Sequence, residues 1–414
     1  MYNPTLFRLS GLSKLEVLLL EDNFVNDSFL SSIELGRLNN LQELYLDFTH
    51  TDTRILQKVG IMTSLNILSM PHCELNGSLA TQGWCELRNL QVLDLHVNHL
   101  EGILPSCLTN LTALWVLELS SNRFNGSITP SHLSNLQSLD NNNLSDMLPR
   151  WFGKFSSTLQ GMVVANNQLE GPFPYELCKL KSLQPLDLSK NSQSGSIPSC
   201  SNFSFINHVH LNKNKISGPI KSGFQKGSTL VTLNLRDNYL TGNIPDRLGS
   251  LSSLSILLLK SNQIKENCGF LMADVQQVDS QQEVKFTTKS ISLTYKRTHP
   301  HYMSGIDLSS NELTYEIPHE LENLSNIHAL NLSYNSMTGS IAITFSKLHQ
   351  IESLDLPNND LDGVILPQFI ELNSLDVFNV AHNNFLGELQ KEKLISKPLR
   401  KAVTREILFC VDLP

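Results

Sequence analysis

The pattern L-x-x-L-x-L-x-x-N returns fourteen times along this chain, and most copies run on as N-x-L-x-G-x-I-P at a spacing near 24 residues. This recurrence narrows the possible folds more than any other feature, because each repeating unit must bury its apolar side against its neighbours. The copy that starts at Leu230 is the clearest, with Leu230, Leu233, Leu235, Asn238, Leu240, Gly242, Ile244 and Pro245 in phase. In L-x-x-L-x-L the alternation predicts a short strand with one buried face, since successive side chains on a strand point to opposite sides. Such a strand is too short to stand alone. Stacked on identical neighbours, it pairs its backbone and buries its leucines. The Asn falls where the chain turns, and its amide can satisfy turn backbone groups that would otherwise be buried without partners. The Gly tolerates a turn conformation that a Cβ would hinder, the Ile packs inward, and the Pro opens an extended or helical outer segment.

A period of roughly 20–29 residues with this consensus is that of leucine-rich repeats. The expected fold is therefore an α/β-type repeat solenoid, a superhelix with a parallel β-sheet on its concave face. The Asn position runs through Asn23, Asn98, Asn122, Asn167, Asn191, Asn214, Asn238, Asn262, Asn311, Asn335, Asn359 and Asn383, with Thr49 and Cys73 in the second and third repeats. Cys73 reads as a buried structural thiol. One copy is damaged: after Leu136 and Leu139 comes Asp140-Asn141-Asn142-Asn143-Leu144, two residues short of the pattern, and counting it gives about 15 repeats. The expected organisation is repeats 1–11 over residues 1–264, a non-repeat island at 265–302, repeats 12–15 over 303–389, and an atypical basic tail at 390–414.

A chain of 414 residues would ordinarily suggest several globular domains, but a repeat array implies one elongated body. A net charge of −8 argues against a nucleic-acid or anionic-membrane surface. No apolar stretch reaches 18 residues, so no membrane span is expected, and Met1-Tyr2-Asn3-Pro4 lacks the form of a secretory signal. Against this stand eight Asn-x-Ser/Thr sequons, at Asn26, Asn76, Asn110, Asn125, Asn143, Asn202, Asn323 and Asn331. An Asn- and Ser-rich repeat produces sequons by itself, yet together with the resemblance below they favour a secretory origin. The seven cysteines are too few for a disulfide scaffold. Cys85 and Cys107 are 22 residues apart, as are Cys178 and Cys200, and each pair takes the same places in its repeat. Two disulfides or two close thiol pairs are expected, with unpaired buried thiols as the alternative. Cys268 and Cys410 have no evident partner.

From Lys265 to Tyr302 the repeat stops, although the interval from Asn262 to Asn311 equals two repeats. Val284 to Tyr295 alternates apolar, Thr, Lys and aromatic residues, as expected of a strand or hairpin beside the array. A long stretch of this kind inside a solenoid is either functional or a scar. His299-Pro300-His301 has no third ligand nearby and reads as a turn, not a metal site.

The N-x-L-x-G-x-I-P repeat resembles the plant-specific leucine-rich type. The run V-K-F-T-T-K-S-I-S-L-T-Y-K, followed by Tyr302-Met303-Ser304-Gly305-Ile306-Asp307-Leu308-Ser309-Ser310-Asn311, looks like the island and next repeat of plant receptor-like proteins. So does the succession L-S-N-I-H-A-L-N-L-S-Y-N, Q-I-E-S-L-D-L and V-F-N-V-A-H-N-N. The resemblance covers Leu6 to Leu389. It implies a secreted, kinase-less ectodomain that perceives a peptide or protein ligand in defence or development. It further implies signalling through partner (co-receptor) kinases from the plasma membrane, with the island and following repeats touching ligand and co-receptor. The chain departs from the family at both ends. The signal peptide and N-terminal cap are missing, and a basic tail stands where a membrane helix would follow, which reads as a truncated or mispredicted gene product. A soluble inhibitor or decoy resembling the polygalacturonase inhibitors, and a nonfunctional gene fragment, remain alternatives.

The residues between the strand leucines should face outward on the concave side, where unusual ones are candidate ligand contacts. Repeats 2 to 4 offer Tyr45, Asp47, Phe48, His72, Asp94 and His96; repeats 9 and 10 offer His208, His210, Lys213, Asn234, Arg236 and Asp237. Asp307, Ser309, Asn331, Ser333 and Asp355 read as generic framework, and a glycan on Asn331 would obstruct the face locally. No G-x-G-x-x-G, P-loop, H-E-x-x-H or kinase catalytic-loop signature is present, so neither an enzyme nor a cofactor is expected.

Overall fold

Each L-x-x-L-x-L copy becomes a strand of about three residues, paired in parallel with the next copy. The structure is a computed structural model that describes residues 12–23, 38–51, 53–79, 84–128, 138–150, 159–199, 206–220, 229–245, 248, 251, 253–265, 284–288, 291–295, 304–319, 321, 324 and 326–386. The chain divides into two compact units, Met1–Gln193 and Ser194–Pro414.

In the first unit, strands Val17–Leu19, Glu43–Tyr45, Ile67–Ser69, Val92–Asp94 and Val116–Glu118 pair in chain order, with Leu18, Leu44, Leu68, Leu93 and Leu117 in register. The damaged repeat contributes a single parallel bridge residue, Ser138, between Glu118 and Val163. Met162–Val163 then pairs with Pro185–Asp187. In the second unit the order is His208–His210, Thr232–Asn234, Ile256–Leu258, Gly305–Asp307, Ala329–Asn331, Ser353–Asp355 and Val377–Asn379. Ile256–Leu258 pairs directly with Gly305–Asp307, so the interruption leaves the stack between two rungs without breaking it. Within it, Val284–Thr288 and Ile291–Tyr295 form an antiparallel hairpin with Phe286 opposite Leu293.

From Leu41 onward the inward strand leucines are buried in both units, while Leu18 of the first described rung is half-buried, and the largest fully buried side chains include Trp84, Phe124 and Phe345. Fully burying one leucine contributes about 2 kcal/mol relative to exposure, so the stack draws its stability from many equal increments. Among the described residues the outer segments include single 3-10 turns, such as Ser106–Asn110 and Ile343–Lys347, and a short α-helix at Arg54–Val59. In the turn at Gly339, φ is +76° and an added Cβ would stand 2.7 Å from Glu316 Cγ, so only glycine fits without displacement.

The Asn ladder stitches the turns together. Asn98 Oδ1 accepts from the backbone N–H of Cys73 (3.1 Å) and Leu75 (2.9 Å), while Nδ2 donates to the carbonyls of Met70 (2.9 Å) and Leu95 (3.0 Å). The interruption does not open this ladder, because Asn311 Nδ2 reaches back to the Leu259 carbonyl at 3.0 Å. The damaged repeat also keeps its place: Asn142 Oδ1 accepts from Phe124 N–H at 3.0 Å and Nδ2 donates to the Leu119 carbonyl at 3.0 Å. Where Thr49 and Cys73 replace Asn, each donates to the Leu46 carbonyl, at 2.6 Å and 2.9 Å. Burial pushes the Cys73 thiol pKa up, so it stays a neutral hydrogen-bonding group.

Candidate functional site

The positions between the leucines fall on the sheet face away from the core and line up across the strands. In the first unit Leu19, Tyr45, Ser69, Asp94 and Glu118 share one row by register. Asp47, His96 and Asp140 lie two residues further along, where the chain leaves the strand. The next residue in each repeat, just before the ladder position, has a left-handed backbone: Phe48 at φ 58°, His72 at 54° and Val97 at 51°. Asn and Asp tolerate this conformation, whereas a bulky aromatic or β-branched side chain is rarely found there. The conformation is held from rung to rung, because Phe48 N–H donates to the Pro71 carbonyl at 2.9 Å and Val97 N–H to the Ser120 carbonyl at 3.0 Å.

This backbone turns the three side chains outward as a ridge. Phe48 is 53% exposed and stacks on His72, with ring centroids 4.6 Å apart and planes within 11°. His72 in turn meets His96 edge-on at 5.6 Å. Beside the ridge, His96 Nδ1 lies 2.6 Å from Asp94 Oδ1, Ser69 Oγ donates to Asp47 Oδ1 at 2.7 Å, and the Tyr45 hydroxyl donates to Glu43 Oε2 at 3.1 Å. Burial, then the Glu43 carboxylate, raises the Tyr45 pKa. The six first-group candidates, Tyr45, Asp47, Phe48, His72, Asp94 and His96, thus converge on one face.

Glu118 joins the same row and was missed in sequence reading, although it lies one rung beyond Asp94 at the same position. Its carboxyl is pushed up to about 7 from 4.5, first by desolvation and then by the nearby Asp94 and Asp140 charges, with His96 and Ser138 partly opposing. The folded chain therefore holds a proton there that the unfolded chain releases between these two values, so stability falls as pH rises through that window. Glu118→Gln removes the buried charge. It is expected to stabilise the first unit by about 1 kcal/mol above pH 7 and to give no gain near pH 4, read as melting temperatures of both proteins at the two pH values.

The second group of candidates does not form a matching exposed set. His208 and His210 are only 8% and 6% exposed, and both rings hydrogen-bond Thr232 Oγ1 at 2.9 Å. Burial lowers the His208 pKa to about 4. Asn234 is also buried and accepts from Arg236 Nε at 3.1 Å, while Lys213 and Asp237 alone are exposed. The expectation of outward-facing anchors fails here because the between-leucine positions of this unit are apolar or closed over: Ile256, Leu258 and Ala329 form a buried cluster, and Asp307 is fully buried. Strand Val284–Thr288 runs alongside Gly305–Asp307. Ile256 and Leu258, which occupy strand positions that are polar in the two preceding repeats, were the available signal.

Asp307, Ser309, Asn331, Ser333 and Asp355 are all buried, and Asn331 Oδ1 accepts from Ser333 N–H and Oγ. Asn331 is thus the one buried asparagine among the described sequons. Asn76, Asn110, Asn125 and Asn143 are exposed, whereas Asn26, Asn202 and Asn323 lie outside the described residues. Cys85 and Cys107 are joined by a disulfide. Cys178 is disulfide-bonded, and Cys200 lies outside the described residues, as do Cys268, Cys410 and His299-Pro300-His301. Among the described residues no helix is long and apolar enough to cross a membrane.

The family model described as Leucine Rich Repeat matches residues 89–111 and 229–251. Those matched segments carry the strand and ladder geometry seen above. The fold is a leucine-rich-repeat solenoid. Among its curated relatives, Cuscuta receptor 1 of Solanum lycopersicum is 34% identical over 228 residues, which is 47% of this chain and 20% of that one. Receptor-like protein 18 of Arabidopsis thaliana is 34% identical over 57% of this chain and 34% of its own length. This leucine-rich-repeat chain therefore spans between a fifth and a third of these two relatives. Its fold is similar to the leucine-rich-repeat ectodomain of the Arabidopsis receptor kinase HAESA in complex with an IDA peptide hormone, with a TM-score of 0.68 and 28% identity over 93% of this chain and 64% of that one.

Proposed function

We propose that this chain is a non-catalytic recognition module that binds a peptide or protein ligand on the strand face of its first unit. The observation that carries this reading is the Phe48–His72–Val97 ridge, which exposes apolar and aromatic side chains at strained backbone positions beside Tyr45, Asp47 and the Asp94–His96 pair. Exposed aromatics on a rigid sheet make anchors for a partner. The relatives named as receptors and the peptide-bound neighbour support ligand recognition by this chain, and by the resemblance to receptor-like proteins the signal would pass to partner receptor kinases. The disulfide and the exposed sequons at Asn76, Asn110, Asn125 and Asn143 support an extracellular setting.

The test is selection of displayed random peptides on the wild-type chain, followed by counter-binding to a Phe48→Ser/Val97→Ser variant and to a Tyr334→Ser control in the second unit. Enriched peptides should lose at least about tenfold in affinity on the first variant and none on the control, as removal of anchor residues would cause. Peptides that bind all three proteins equally would contradict the assignment of this face.

A further inference from the structure

From Glu16 to Asn141 the strand face of the first unit has one sign of charge, and the unit's one outward lysine in a described rung, Lys190, stands two rungs beyond. Its outward positions include Glu21, Glu43, Asp47, Asp94, Glu118 and Asp140, and none of the outward positions in the rungs from Glu16 to Asn141 is Lys or Arg. This is local and does not simply follow the net charge, because the corresponding positions of the second unit carry Lys213, Arg236 and Lys260. Asp94 has the His96 ring at 2.6 Å and Asp47 the Ser69 hydroxyl at 2.7 Å, but Glu118 sits among like charges from Asp94 and Asp140. A row of partly buried carboxylates is self-repulsive, and an incoming cation relieves the repulsion. The acids flank the apolar ridge and do not form an isolated patch, since Phe48 and Val97 are both exposed beside them. Apolar side chains of a partner would find the ridge, and its cations would find the acid row and the faces of Tyr45 and Phe48.

We propose that this face takes an extended cationic peptide segment, lysine or arginine alternating with apolar residues, laid across the rungs from Tyr45 to Asp140. Successive strands lie about 4.8 Å apart and an extended chain rises about 3.3 Å per residue, so a segment of roughly seven residues spans the face. Residues on one side of that segment would meet the carboxylates and those on the other the ridge. The proposal rests on the first-unit face being the docking surface and adds the chemistry of its occupant.

Fluorescent heptapeptides alternating lysine with leucine, glutamate with leucine and serine with leucine are titrated at pH 7.5 against four forms of the full chain. These are the wild type, an Asp47→Asn/Asp94→Asn variant, the Phe48→Ser/Val97→Ser variant, and an Asp360→Asn/Asp362→Asn control in the second unit. Melting temperatures confirm that each is folded. The lysine–leucine peptide is expected to bind at least about tenfold more tightly than the glutamate–leucine one, to lose about tenfold on the first variant, and to keep its affinity on the control. Stronger binding of the serine–leucine or glutamate–leucine peptide, still lost in the Phe48→Ser/Val97→Ser variant, would overturn the cationic assignment and leave the docking face standing. Binding of none of the peptides, or binding unchanged by every first-unit variant, would overturn both.

Discussion

Replacing Asn98 with alanine is expected to cost the first unit about 3–5 kcal/mol, the largest single-residue effect in this chain. The Asn98 side chain accepts from Cys73 and Leu75 N–H and donates to the carbonyls of Met70, Leu95 and His96. It is 5% exposed, so alanine would leave two backbone donors and up to three acceptors buried with fewer partners. Each orphaned buried group costs about 1–3 kcal/mol, and partial rearrangement of the turn reduces the sum. The neighbouring rung is less able to compensate, because Cys73 and Thr49 make fewer bonds than asparagine would. Hydrogen exchange should show lost protection around Ile67–Ser69 and Val92–Asp94, with the second unit unchanged, since each rung depends mainly on its nearest neighbours. Asn141→Ala, at an exposed left-handed position one residue before the ladder, should cost only about 1 kcal/mol, the backbone preference of asparagine there. Equal effects at Asn98 and Asn141 would show that the ladder is not what holds the turns.

Removing the Cys85–Cys107 disulfide is the second large effect expected, about 3 kcal/mol. The bond closes a loop with a sequence separation of 22, and cross-linking a loop of that size withdraws conformational freedom from the unfolded chain. The loop contains strand Val92–Asp94, so it fastens the rung that carries Asp94, His96 and Val97. A Cys85→Ser/Cys107→Ser variant should unfold at lower denaturant concentration. It should also bind peptides at the first-unit face more weakly, because the ridge depends on that rung. A variant as stable as wild type would mean that packing of Trp84 and its neighbours already fixes the segment.

Most of the fold was legible in the sequence, because the repeat states its own rule. Period-2 leucines gave the strands and the Asn positions gave the ladder, and the parallel stack follows from having many copies. Two details were not legible. The damaged repeat, two residues short, gave no sign of how it would pair, and a single bridge residue, Ser138, with Asn142 preserves both the pairing and the ladder. A ladder needs only one strand hydrogen-bond register and one amide per rung, a requirement less strict than the full consensus. The interruption was placed, but its neutrality toward the stack was not. Asn262 and Asn311 sit on adjacent rungs although 49 residues separate them, and nothing in the local sequence says that a loop will leave and return to the same register.

The candidate face was legible in part. The first-unit positions between leucines that the sequence groups also lie together, with Phe48, His72 and His96 touching in sequence-distant succession. In the second unit the same rule placed His208 and His210 on an open face, and they are buried around Thr232. The rule gives the direction in which a side chain leaves the strand. It does not say whether that side of the sheet is open, which is set by residues elsewhere in the chain. The left-handed backbone at Phe48 and Val97 was likewise invisible, because it arises from the turn geometry shared by every repeat and becomes unusual only through the residue that occupies it.

The central claim is that ligand recognition uses the strand face of the first unit. Its most direct test is photo-cross-linking with benzoylphenylalanine placed at Phe48 in one protein and at Tyr334 in another, each irradiated with a selected peptide and mapped by mass spectrometry. Both positions are exposed aromatics with a left-handed backbone, so the two probes differ in location and not in local setting. A cross-link from position 48 and none from position 334 is the expected result. A cross-link from position 334 alone would place recognition on the second unit and contradict the assignment.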